Sequence, residues 1–70
     1  MLLSLTNANP DHKGKIIVLN SECIVSIHQD VITRPSGTIE QVTFVNCPPH
    51  GTWEVSETPK FIIDAVKQQQ

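Results

Sequence analysis

Tyrosine is absent from this 70-residue chain, and the aromatic set is one Trp and two Phe. Single-strand nucleic-acid binders usually display several aromatics interleaved with basic residues, and that pattern is missing. Only three glycines occur, too few for a phosphate-cradling loop beside the turns they must serve. Charge of either sign forms no run: five basic residues are scattered against seven acidic ones, a net of -2. Phosphate binding by counterion release wants clustered Lys or Arg, so the charge count gives a nucleic-acid partner no support. No stretch approaches the roughly 20 apolar residues of a membrane helix. The opening Met1-Leu2-Leu3-Ser4-Leu5 lacks a basic start and is short for a signal peptide, so the expected location is cytoplasmic.

What is present suits one small folded domain. The apolar share is 39%, and three glycines with five prolines are too few for a disordered chain. A chain this short buries only about 60% of its unfolded surface. Stability on the order of 4–10 kcal/mol leaves little tolerance for a strained active site.

Leu2 to Thr6 reads as a strand, followed by a loop from Asn7 to Gly14 rich in turn formers. Lys15 to Leu19 is a second strand, three of its five residues being β-branched. From Cys23 the alternation of Cys23, Val25 and Ile27 with Ile24, Ser26 and His28 predicts a third. Val31 to Thr33 continues it past a kink expected at His28-Gln29-Asp30. Arg34-Pro35-Ser36-Gly37 is turn chemistry, with Ile39 to Asn46 returning as the other arm of an antiparallel hairpin. Val42 and Phe44 share one face of that arm; Thr43 and Val45 share the other.

Cys47-Pro48-Pro49-His50-Gly51 leaves the sheet, and Thr52 to Val55 re-enters it with Trp53 and Val55 on one side. Thr58 then caps a helix opened by Pro59, with Ile62, Ala65 and Val66 inward and Lys60, Asp64 and Lys67 toward water. The expected fold is mainly β: a five-stranded antiparallel meander or small half-open barrel, followed by one C-terminal helix. The domain covers residues 1–67, with 68–70 a frayed tail.

One arrangement has ligand chemistry. Cys47 and His50 are separated by two residues, a metal-ligand spacing, and Gly51 follows as in a zinc knuckle. A tetrahedral site needs two more donors, and Cys23 with His28 is the obvious second pair, His12 the reserve. On a regular strand Cys23 and His28 face opposite ways, so one would need re-aiming by a bulge. The other reading is a proline-rich turn beside a buried Cys47, with Cys23 a second free thiol. That reading is adopted, and no cofactor is expected. Cys47 with His50 or His28 could also pair a nucleophile with a base, but no orienting third group or oxyanion donor accompanies them. The chain is therefore read as no enzyme. Trp53, Phe44 and Phe61 are expected to pack together under the helix. An exposed Trp53, with Phe44 near it, would be the first candidate partner anchor.

Two resemblances follow from these segments. Gly14-Lys15-Ile16-Ile17-Val18-Leu19-Asn20 with Ile24 and Ile27, then Gly51-Thr52-Trp53-Glu54-Val55 and its trailing helix, resembles the FlbD-type proteins found among flagellar genes. Those have a similar strand order and a shorter central hairpin. Met1-Leu2-Leu3-Ser4-Leu5-Thr6 and Val42-Thr43-Phe44-Val45-Asn46-Cys47-Pro48 are similar to the carbon storage regulator family of dimeric RNA binders. Where those proteins carry a basic residue after the last strand, this chain reads Ser56-Glu57-Thr58.

The expected function is a small non-catalytic binding or protein-interaction module acting as a homodimer or higher homo-oligomer, with an unidentified protein partner. The alternative is an RNA-binding regulator of the carbon storage type, which would need Lys15, Arg34, Lys60 or Lys67 gathered on one face.

Overall fold

The computed structural model describes residues 1–68. Five strands, β1 (Leu2–Thr6), β2 (Ile16–Asn20), β3 (Ser26–Thr33), β4 (Ile39–Asn46) and β5 (Thr52–Val55), precede one helix, α1 (Pro59–Gln68). The mainly β composition and the C-terminal helix match the expectation. The single meander does not. The strands form two antiparallel sheets, β1-β2 and β3-β4-β5, and they close no barrel.

The break falls between β2 and β3. The Asn20 side chain accepts the Glu22 N–H at 3.1 Å and starts a 3-10 turn over Ser21–Cys23. That turn takes Cys23 out of the strand it was expected to begin, so β3 starts only at Ser26. The sheets meet instead through β1 and β5. Asn7 bridges Val55, Ser56 N–H donates to Thr6 O at 2.9 Å, and Ala8 N–H donates to Glu54 O at 2.9 Å.

The central hairpin pairs from Ser26↔Asn46 to Thr33↔Ile39 without interruption, and the kink expected at His28 to Asp30 is absent. Its turn is closed by Arg34 N–H to Thr38 O and Gly37 N–H to Arg34 O, each 2.8 Å. Gly37 takes a φ of 88°, which a side chain would strain. β5 extends this sheet, Trp53 lying opposite Val45 and Glu54 opposite Phe44.

Pairing partners share a face, so β1-β2 turns Leu3, Leu5, Ile17 and Leu19 inward. Leu3, Leu5 and Leu19 meet Val45 and Val55 of the second sheet and Ile62 of the helix in one core. Each such side chain, fully buried, stabilises by about 1.5–3 kcal/mol. The helix begins as its sequence indicates: Thr58 Oγ1 accepts the Phe61 N–H at 3.1 Å, and Pro59 needs no partner in the first turn. Ala65 and Val66 pack on the core, while Lys60 and Lys67 are exposed. Helical structure reaches Gln68, one residue into the expected tail; Gln69 and Gln70 lie outside the described residues. Among the described residues no helix is long and apolar enough to cross a membrane.

Candidate functional site

The two aromatic candidates are held on opposite faces of the second sheet. Trp53 lies beside Val45 and packs half-buried against the main core. Its indole Nε1 and the nearby Thr43 hydroxyl are buried without a protein hydrogen-bond partner. Phe44 is on the other face, stacked on His28 with centroids 5.2 Å apart and ring planes at 22°. Phe61 is exposed on the helix. The expected packing of all three under the helix is therefore not found, because alternation along β4 and β5 separates Phe44 from Trp53.

The Cys47–Gly51 segment forms a tight turn, with Cys47 N–H donating to Gly51 O at 2.9 Å and His50 N–H to Cys47 O at 3.0 Å. His50 is exposed at its tip, whereas Cys47 is buried and His28 is engaged with Phe44. Among the described residues no three His, Cys, Asp or Glu side chains gather into a ligand set. What the turn does bring together is a thiol pair. Cys23 lies near enough to Cys47 to affect its ionisation, and both are free. Burial pushes the Cys47 thiol up from its ordinary pKa, and the neighbouring Cys23 adds to the rise.

The most developed polar constellation is one that sequence reading passed over. Arg34, at the end of β3, has a side chain only 12% exposed. Its Nη2 donates to the Glu54 carboxylate and, at 2.8 Å, to Ala8 O; its Nε donates to Glu40 Oε2 at 3.0 Å. Lys13 Nζ stands 3.5 Å from Glu40 Oε1. Four segments are thus tied at one point: the hairpin turn, β4, β5 and the Asn7–Gly14 loop. Burial alone pulls the guanidinium pKa down, but the Glu54 and Glu40 carboxylates more than offset it and raise it. Hydrogen bonding to Arg34 holds the Glu40 carboxyl below its ordinary pKa against the opposing effect of burial, with Lys13 assisting.

A partial signal was available. Arg34 faces Thr38 across the turn, so Glu40 is its diagonal neighbour on the same face of the hairpin. Glu54 shares that face only through the β4-β5 register, which is long-range information. Because its Nε and Nη2 donors are committed to protein oxygens, the cluster works as a clasp between segments.

Against family models, curated proteins and solved structures, the chain matches none.

Proposed function

We propose that this protein is a small non-catalytic interaction module that works as a homo-oligomer. The carrying observation is apolar surface left open among the described residues. Alternation turns Leu2, Val18 and Ile16 to the outer face of β1-β2, where Ile16 is 72% exposed. Val31 and Ile39 are exposed on the distal part of the β3-β4 hairpin, beyond the helix. Contiguous exposed apolar groups are the usual mark of an interaction surface. A second copy is the occupant chosen, because one surface repeated about a two-fold axis covers both chains at once.

The same distribution bears on the RNA-binding alternative. Lys13, Arg34 and Lys60 each lie against a carboxylate, on Glu40, on Glu40 with Glu54, and on Asp64. A phosphate would have to displace those partners, which weighs against that reading. Light scattering coupled to size-exclusion chromatography, from about 10 µM to about 1 mM, tests the proposal. The mass should reach at least twice 7.8 kDa at the upper end, and a clean mass of 7.8 kDa across the whole range overturns the homo-oligomer.

A further inference from the structure

Among the described residues, strand β3 has β4 on one side and no strand on the other. It is eight residues long and paired without a bulge from Ser26 to Thr33, and it contains neither proline nor lysine. Those are the features by which edges are normally blocked. Arg34 N–H points to β4, reaching Thr38 O, and alternation then turns Ile32, Asp30 and His28 toward β4 as well. The N–H and C=O groups of Ile27, Gln29, Val31 and Thr33 point the other way. Val31 N–H is accepted at 2.8 Å by the Asp30 side chain, a local stand-in for a strand partner.

We infer that β3 pairs antiparallel with β3 of a second copy, about a two-fold axis at Gln29, joining two three-stranded sheets into one of six. The inference rests on the homo-oligomer reading and names its interface. Register decides the case, because outward groups on odd-numbered residues can pair only with odd-numbered residues. Centred on Gln29, the pairing sets His28 opposite the partner's Asp30 and Asp30 opposite the partner's His28. On the other face it sets Ile27 opposite the partner's Val31, and the reciprocal contact repeats both. Val31 is 58% exposed in the single chain, so this contact covers apolar surface that the fold leaves open. Slipping the strand by one residue on each chain puts Asp30 against the partner's Asp30, or His28 against the partner's His28. Charge and apolarity therefore select one register among the neighbouring ones. One strand's width is small for an interface, under about 1,200 Å² in total, which fits an association in the micromolar range.

Sedimentation equilibrium with residue-resolved amide exchange, at about 10 µM and about 1 mM, spans that range and tests the interface. With rising concentration the mass should move from 7.8 kDa toward twice that value. The amides of Ile27, Gln29 and Val31 should then slow about tenfold or more, while His28 and Asp30, already bonded to β4, change little. A dimer whose outward β3 amides stay unprotected overturns this interface and leaves the homo-oligomer standing. A monomer at both concentrations overturns both. Gln29→Pro deletes an outward N–H without touching the β4 ladder, and should return the protein to a monomer with its circular dichroism unchanged. Should that variant fail to fold, Val31→Lys at an exposed position serves instead. It should weaken association at least about tenfold, by placing a charge in the apolar pair with the partner's Ile27. Native-fold Val31→Lys that dimerises as tightly as the parent overturns the inference.

Discussion

Arg34 shows how one residue sets the pH response of this fold. Its hydrogen bond to Glu40 lowers the pKa of that carboxyl in the folded state. A group with a depressed folded pKa stabilises in full above its unfolded value, about 4.3 for Glu, and loses that contribution as pH falls through the folded value. The melting temperature should therefore drop as the solution is acidified below about pH 4. In Arg34→Met the neutral-pH melting temperature should be lower, since Glu40 and Glu54 lose their cation. The acid-side drop should also be shallower, because the main cause of the Glu40 shift is gone and only Lys13 remains beside it. Parallel melting curves against pH for parent and variant would show that the clasp does not govern acid stability. The thiol pair gives a second outcome at this scale. Burial and the nearness of Cys23 keep Cys47 protonated, so its thiolate is scarce near neutral pH. Iodoacetamide should modify half-buried Cys23 in the native protein and reach Cys47 only on unfolding, as read by peptide mass spectrometry. Faster labelling of Cys47 than of Cys23 would contradict the burial shown here.

Among the elements, the ones with punctuation at both ends were legible and those set by distant contacts were not. Pro35 and Gly37 mark the central turn, and the hairpin they predict forms, with β4 spanning Ile39–Asn46 as read. Thr58 and Pro59 mark the helix start equally well. The β2-β3 junction failed because Asn20, an ordinary polar residue by composition, caps a 3-10 turn that ends the pairing. The alternation from Cys23 begins ahead of its strand: Cys23 to Val25 stay outside β3, and only from Ser26 does the period coincide with pairing to β4. The candidate site divides the same way. Alternation placed Val42 with Phe44 and Trp53 with Val55, yet the Arg34 clasp needs a three-strand register that no local pattern encodes. The face opposite the main core can be probed at Val42, which is 2% exposed. Val42→Asp places an unpaired carboxylate there at a cost of several kcal/mol, about the size of the whole stability expected for this length. The variant should lose its native circular dichroism and its cooperative melt. Retention of both would mean that the β3-β4 register places residue 42 toward solvent.

At the scale of the molecule, the question is whether two sheets make one folding unit. The chain is elongated, 41 × 22 × 19 Å, and its first sheet has only two strands, too few to be stable alone in water. Beyond the backbone bonds between β1 and β5, two connections bear on whether it opens alone. The core is shared, Leu3, Leu5 and Leu19 meeting Val45, Val55 and Ile62. The second connection is polar and local: Glu57, just past β5, accepts Thr6 N–H at 2.8 Å through one oxygen and Thr6 Oγ1 at 2.9 Å through the other. This carboxylate grips the end of β1 beside the Asn7–Val55 bridge, where the backbone links the two sheets. Glu57→Ala removes both bonds and leaves a partly buried amide and hydroxyl unpaired. The expected loss is about 2 kcal/mol, because bonds to an ionised acceptor are worth more than neutral ones. Since the apolar core crosses from sheet to sheet, that loss should be felt by both together. Chemical denaturation should keep a single transition with an unchanged slope and an earlier midpoint. Amide exchange of Leu3, Leu5 and Leu19 should accelerate by the same factor as that of Val45 and Val55. Acceleration confined to β1 and β2 would mean that the first sheet opens on its own, and that the shared core is too small to bind the two sheets into one cooperative unit.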